Sequence, residues 1–365
     1  MRTLVLAPEI FTTNGGIPRI LRLYLKAICD IAEEQAGQVR LIALNDTDVD
    51  STDLRRYSNS SLDSWEVCSG SKLRFIRASF KHGRGCDHVV CGHVAQLPVA
   101  LALKLRNPKL TYDVVAHGIE VWRSFTPAEK AALRFARRVL CISDYTRQKM
   151  REFSQIPDAR AVVVPNGLDA YFPIADSVAP PVASPVITTV ARLTKADIYK
   201  GIDTLIEAMP LVRRAFPDAT LRIIGHGDDA LRLRQLANDL GLQQGVQMLG
   251  FVSDAELQQQ LKQCTLFALP SKKEGFGLVF LEAMAQGRPC LGARAGGIPE
   301  VISPESGLLC DYGDIPSIAA SCVEGLRHTW DPNAILARVR DFSYPRFRER
   351  LRAALPPSSA PTRSS

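Results

Sequence analysis

Residues 271–287, SKKEGFGLVFLEAMAQG, set two carboxylates, Glu274 and Glu282, eight positions apart around Gly275-Phe276-Gly277. Glu282 is the only charge between Leu278 and Ala285, and a buried acid is costly unless something compensates it. The preceding run TLFALP (265–270) reads as a buried strand closed by Pro270, so residues 271–277 fall at the C-terminal edge of a sheet. Gly275 and Gly277 let the backbone turn tightly and approach a ligand. A helix starting near Leu278 leaves its first N–H groups unpaired, which makes an anion site. Glu282, about one turn in, reaches a ligand held there, and Glu274 addresses whatever lies beyond the phosphate. Carboxylates accept hydrogen bonds from vicinal diols. A nucleotide sugar offers ribose, diphosphate and hexose in that order.

The matching positive charge comes from VARLTKADIYKG (190–201), which places Arg192 at the end of one strand and Lys200 just before the next helix. Both belong to the sheet edge that carries Glu274. Arginine pairs with phosphate oxygens in bidentate fashion and lysine adds a point charge. NGGIPR (14–19) makes a second glycine turn into a helix, with Pro18 suited to a first helical turn. AHGIE (116–120) ends a strand with His117, again at a sheet edge.

Three other patterns carry less. GCDHVVCGH offers Cys86, His88, Cys91 and His93 in zinc-like spacing, but Val89-Val90 mark a strand. With a period of two, residues 86 and 88 face one side while 91 and 93 face the other. Only His93 is retained, as a residue at the strand's C-terminal end. LRIIGHGDDALRL fits G-x-G-x-x-A through Gly225, Gly227 and Ala230, yet LQQGVQ (242–247) supplies no acidic residue where a dinucleotide fold needs one. A nucleotide-contacting loop is expected there, not nicotinamide chemistry. NDTDVD (45–50) contains a D-x-D of the metal-bridging kind, and is read as a solvated turn.

Strand-like and helix-period runs alternate along the chain and must position these residues. Strands are expected at 2–7, 39–44, 87–92, 111–117, 138–143 and 161–167, then at 187–193, 219–225, 246–251, 265–270 and 288–293. A helix after the first glycine turn carries Ile17, Ile20, Leu21, Tyr24, Leu25, Ile28 and Ile31 on one face, and further helices span 96–106, 127–138 and 143–153. Such alternation indicates βαβ units and parallel sheets. A proline-rich stretch without helical period interrupts it after residue 170. The expectation is an α/β chain of two Rossmann-like domains facing each other across a cleft, joined by a linker. The C-terminal ends of open parallel sheets are where ligands bind.

Bulk properties agree. The chain has 365 residues, 46% hydrophobic and 23% charged, more than one core usually organises. No run approaches the ~20 apolar residues that span a bilayer, and the N-terminus reads as a first strand, so the default compartment is cytoplasmic. Nine scattered cysteines, an odd number, favour reduced thiols. Residues 70–160 hold 17 Lys and Arg against 7 Asp and Glu, although the whole chain carries only +7. That excess suits phosphate-bearing substrates, an anionic membrane surface or nucleic acid.

The combination resembles glycosyltransferase family 4, retaining enzymes of the GT-B fold. The likeness runs from NGGIPR through AHG, CISDYTRQ, VPNGLD, VARL…YKG, IIGHGDD and LPSKKEGFGLVFLEAMAQGRPCLGARAGGIPEV to FSYPRFRERL, and the segment 269–301 is the most specific part. The resemblance implies that Glu274 hydrogen-bonds the donor sugar and Glu282 holds the ribose. Arg192 and Lys200 would neutralise the diphosphate, with the amides of Phe276, Gly277 and Leu278. Gly15 and Gly16 would lie beside the sugar–phosphate linkage, and His117 near donor sugar and acceptor. Gly225 and Gly227 complete the expected donor contacts, and no metal or other cofactor is expected. Pro18 stands where many relatives carry glycine, which stiffens a loop expected to move on closure.

The expected domains are 1–172 on the acceptor side, a linker at 173–186 and a nucleotide-sugar domain at 187–340. A helix at 341–354 is expected to cross back to the first domain, ahead of a disordered tail at 355–365. The expected reaction is transfer of a hexose from a UDP- or GDP-sugar to a glycan or lipid-linked acceptor, with retention. A glycosidase also uses two carboxylates, but a phosphate site with Arg192 and Lys200 has no purpose there. The competing non-enzymatic reading is a basic module that binds anionic lipid or nucleic acid. The region 70–160 lacks the interleaved aromatics of single-strand binders, so no nucleic-acid partner is expected.

Overall fold

The structure, a computed structural model, describes residues 1–13, 15–154, 156–178 and 184–357. The chain divides into two compact units, one of residues 1–170 with 343–365 and one of residues 171–342.

The first unit holds seven strands: β1 (Arg2–Ala7), β2 (Gln38–Ala43), β3 (Leu62–Val67), β4 (His88–Cys91), β5 (Thr111–Ala116), β6 (Arg138–Cys141) and β7 (Ala161–Val163). They form one sheet in the order β3-β2-β1-β4-β5-β6-β7, and every pairing is parallel. The second unit repeats the plan with β8 (Val186–Val190), β9 (Thr220–Ile224), β10 (Val246–Gly250), β11 (Leu266–Leu269), β12 (Cys290–Ala293) and β13 (Gly307–Cys310), ordered β10-β9-β8-β11-β12-β13 and again parallel. In both sheets the order reverses beside the first strand, the switch point at which such folds bind ligands.

Central strands are apolar on both faces because helices cover both: all four residues of β4, β11 and β12 are buried. β3 and β13 lie outside the strands expected from the sequence. Both are sheet edges. β3 alternates between half-buried and exposed residues and so lacks the apolar run that marks a central strand, whereas β13, GLLC, is apolar but only half-buried at its two leucines.

The helix Gly16–Glu34 begins on Gly15 and buries Ile20, Leu21, Tyr24, Leu25, Ile28 and Ile31. Pro18 sits in its first turn, where its missing N–H is no loss. The last helix, Tyr344–Ala354, packs on this one. Phe347 meets Tyr24 edge-on at 5.1 Å between ring centroids, Tyr344 donates to Asp30, and Arg348 and Arg352 pair with Glu34. Its final carbonyls, on Ala353 and Ala354, accept from Arg137 and Arg138, cations where the helix dipole favours them.

The proline-rich stretch is not a free spacer at its start. Ala175 N–H donates to Ala285 at 2.8 Å, Gln286 Nε2 donates to the Pro173 carbonyl at 3.0 Å, and Val178 fills the space over Gly287. Residues 179–183 of the expected linker and 358–365 of the expected tail lie outside the described residues. Leu355, placed in the tail by the sequence, is buried.

Candidate functional site

In the second unit the loop after β8 and the loop after β11 are stitched together. Lys272 N–H donates to the Tyr199 carbonyl at 2.9 Å and Ser271 Oγ to the same oxygen at 3.4 Å. Gly201 turns with φ +71° against Pro270, whose carbonyl oxygen lies 2.5 Å from where a Cβ would stand. This joinery brings Lys200 onto Glu274 as an ion pair, with both side chains less than one-fifth exposed. Arg192 projects from the same edge with 71% of its side chain exposed, held through Nη2 by Asp197 at 3.1 and 3.3 Å.

Glu274 is fixed from a third side. Gly297 N–H donates to the Glu274 carbonyl at 2.8 Å. A Cβ on Gly296 would stand 2.3 Å from that carbonyl oxygen, and one on Gly297 would stand 2.3 Å from the Gly275 carbonyl oxygen. The loop after β12 therefore cradles the Glu274–Gly275 backbone at a distance only glycine allows. Sequence reasoning assigned no role to Gly296 and Gly297, although the Gly-Gly pair was the available signal.

Phe276 is buried, with its ring 5.5 Å from Phe342, and Gly277 leads into the helix Leu278–Met284. No side chain of the described residues caps that helix start. Glu282 is fully buried at the helix's fifth position, 1% exposed, in contrast to the largely exposed Arg192.

Gly225 and Gly227 lie where two loops meet. Their φ values are +139° and +156°, and a Cβ would stand 1.8 Å from the Ala191 carbonyl oxygen or 2.1 Å from that of Leu193. Leu193 N–H bonds to His226, and Asp229 N–H bonds to Leu193. The chain that carries Arg192 packs against both glycines, so the G-x-G serves close approach of two loops. Arg232, paired with Asp229 and Asp203, lines a shallow depression with Arg192, Thr194 and Asp197.

In the first unit, His117 follows β5 and is buried. Its Nε2 donates to the Gly92 carbonyl at 2.7 Å, which leaves Nδ1 as the acceptor. Burial pushes its pKa down from 6.5 to about 4, so the ring is neutral at pH 7. The Glu120 carboxylate accepts from the backbone N–H groups of His117 (2.5 Å) and Gly118 (3.2 Å), which pins the turn. Burial raises the pKa of Glu120 and lowers that of His93. His93 uses Nδ1 to cap Ala95 N–H at 3.1 Å.

The zinc-like set does not converge. β4 begins only at His88, so strand alternation says nothing of Cys86, which packs in the same apolar cluster as Cys91. His88 lies against Thr111 and Asp113. Among the described residues no three His, Cys, Asp or Glu side chains gather as a metal site.

Of the aspartates in NDTDVD, Asp48 and Asp50 are exposed as in a solvated turn, but Asp46 is not. Asp46 is fully buried and accepts from the N–H groups of Ile10, Phe11 and Thr12 and from the Thr12 hydroxyl, at 2.7 to 2.8 Å. It anchors the loop that runs toward Gly15 and Gly16, while Asp50 caps the helix Ser51–Arg56. Asn14 of the glycine loop lies outside the described residues. Gly15 is the N-cap of the first helix, and Gly16 has open space where a Cβ would be.

Two family models cover the chain in succession: Glycosyltransferase Family 4 over residues 27–171 and Glycosyl transferases group 1 over 174–327. A GDP-mannose-dependent monoacylated alpha-(1-6)-phosphatidylinositol monomannoside mannosyltransferase of Corynebacterium glutamicum is 31% identical over 265 residues, 66% of this chain and 67% of that protein. The chain belongs to glycosyltransferase family 4. A GDP-mannose-dependent relative from Mycolicibacterium smegmatis is 32% identical over 249 residues, 62% of this chain and 64% of that protein. Among solved structures, Anabaena Alr3699/HepE in complex with UDP superposes with a TM-score of 0.76 at 21% identity, covering 97% of this chain and 99% of that one. That likeness establishes the GT-B fold: two parallel-sheet, Rossmann-like α/β domains.

Proposed function

We propose that this family 4 glycosyltransferase moves a hexosyl group from a nucleoside-diphosphate sugar to a hydroxyl of a glycan or lipid-linked acceptor, with retention at the anomeric carbon and without a metal. The observation that carries this is the junction of Arg192, Lys200 and Glu274 at one sheet edge. Two cations suit a diphosphate, and the acid paired to one of them suits the sugar attached to it. When donor binds, the phosphates take over Lys200, and Glu274 exchanges that partner for sugar hydroxyls.

In the reaction the bond from the anomeric carbon to the phosphate oxygen breaks, and its electron pair leaves with the nucleoside diphosphate. The acceptor oxygen bonds to the same face of that carbon and gives its proton to the departing phosphate oxygen. Arg192 and Lys200 stabilise the charge growing on the leaving group. His117, neutral and with Nδ1 outside the Gly92 bond, serves as a hydrogen-bond acceptor for donor or acceptor hydroxyls. Glu282 is assigned to the ribose, and Gly15 and Gly16 to the sugar–phosphate linkage.

The donor to try first is GDP-mannose, because the relatives from Corynebacterium and Mycolicibacterium are named for it; the UDP held by HepE makes UDP-sugars the second choice. An anionic membrane face, cytoplasmic in this reading, is supported by the helix Lys72–His82. It exposes Leu73 and Ile76 beside Lys72, Arg74, Arg77 and Lys81, the pattern of an interfacial helix. No helix among the described residues is long and apolar enough to cross a membrane.

A thermal-shift panel of GDP, UDP and ADP, followed by turnover of the matching sugars, tests the proposal. One nucleoside diphosphate should raise the melting temperature, and its sugar should be consumed only when acceptor is present. Absence of stabilisation by all three would refute it.

A further inference from the structure

Asp197 is buried in the middle of the loop that carries both cations, at 6% exposure. Its carboxylate gathers three donors from that loop: the Arg192 guanidinium at 3.1 and 3.3 Å, Thr194 Oγ1 at 2.9 Å and the Tyr199 hydroxyl at 2.7 Å. The backbone closes on it too, since Asp197 N–H donates to the Thr194 carbonyl at 2.9 Å. Tyr199 extends the arrangement. Its carbonyl takes the bonds from Ser271 and Lys272, and its ring lies 5.6 Å from Lys200 Nζ and 5.5 Å from Lys273 Nζ, within cation–π range.

Arginine in solution samples many rotamers, and ordering it on a ligand costs free energy. A guanidinium clasped from beneath by a buried carboxylate has already lost that freedom. Its remaining N–H groups and most of its surface stay open to a ligand, as the exposure of the Arg192 side chain shows. The Asp197 carboxylate thus performs for the arginine what the neighbouring loops perform for Glu274.

We propose that Asp197 is a positioning residue of the donor site: its buried carboxylate, steadied by Tyr199, holds the Arg192 guanidinium in the orientation that receives the phosphate oxygens of a nucleoside diphosphate. This rests on Arg192 belonging to the donor site, as proposed above. Asp197 itself touches no substrate, so it acts on donor affinity through the arginine.

The test is a double-mutant cycle read by calorimetry with GDP, UDP and ADP on the full chain, using wild type, Asp197→Asn, Arg192→Ala and the double variant, with melting temperatures recorded alongside. Asp197→Asn keeps size and removes charge. It should weaken nucleotide binding roughly tenfold, the scale of one hydrogen bond to a charged group. In the Arg192→Ala background the same change should cost less than about twofold, and Asp197→Glu should recover part of the loss. Equal losses in both backgrounds, or none in either, would overturn the positioning role and leave the donor-site assignment standing. If wild type binds none of the three nucleotides, the donor-site assignment falls and Asp197 falls with it. Should Asp197→Asn fail to fold, Tyr199→Phe removes one donor to the same carboxylate and should weaken binding by roughly threefold, again only while Arg192 is present.

Discussion

Gly296→Ala is a small change with a large expected consequence. At φ +60° an alanine is strained, at roughly 1–2 kcal/mol. Its Cβ would also lie 2.3 Å from the Glu274 carbonyl oxygen and 3.1 Å from the Glu274 nitrogen. Because the obstruction is backbone, no side-chain rotation relieves it. Either the loop after β12 retreats or the Glu274 turn moves by several tenths of an ångström. A shift of that order at a reacting group costs about 10- to 100-fold in rate. The cations stand on another loop, so nucleoside diphosphate affinity should stay within about threefold, while turnover of the donor sugar falls by at least tenfold. Overall destabilisation should be about 1–3 kcal/mol, a melting-temperature loss of roughly 2–12 °C for domains of this size. Calorimetry and a coupled assay of nucleotide release separate the two effects. Full turnover by a folded Gly296→Ala enzyme would refute the cradle.

Other perturbations probe the supports around the site. The pKa of His117 falls from 6.5 to about 4 on burial, so the unfolded chain takes up its proton first as pH drops. Stability should therefore be lost across pH 6.5 to 4, by about 2 kcal/mol between pH 7 and 5, and urea titrations of His117→Gln should lack that component. Asp46→Ala strands three buried or half-buried backbone N–H groups and should cost about 2–4 kcal/mol by urea denaturation; a neutral result would discredit its anchoring role. Phe347→Ala opens a cavity against Tyr24 and should cost about 3–5 kcal/mol in the first unit, seen as an earlier, separate transition in calorimetry. Glu274→Gln keeps the turn but weakens the ion pair with Lys200, and should cut turnover by at least 100-fold while leaving nucleotide diphosphate affinity within about threefold. Intact turnover would remove Glu274 from the chemistry.

Most of the architecture was legible because central strands such as TLFALP are short apolar runs between helix-period segments, a signal both local and redundant. The edge strand LDSWEV lacked it, whereas GLLC is a short apolar run that was not among the expected strands. The conjunction of Arg192, Lys200 and Glu274 could be anticipated from chain topology alone, since strand ends fix which residues share a sheet edge. What held them was not legible. Asp46 resembles a polar turn because its partners, three backbone N–H groups and the Thr12 hydroxyl, lie 34 to 36 residues away. Gly225 and Gly227 fit a dinucleotide-loop pattern because glycine marks any close approach, and sequence does not name the loop at Ala191 and Leu193 that packs against them. Asp197 carries no sequence signal because its importance lies in burial, a tertiary property.

A crystal structure of the full chain with its nucleoside diphosphate tests the donor site most directly. Phosphate oxygens should sit within hydrogen-bonding distance of Arg192 and Lys200, with Glu274 released from the lysine. Diphosphate density away from those two cations, with the Lys200–Glu274 pair intact, would contradict the assigned donor site.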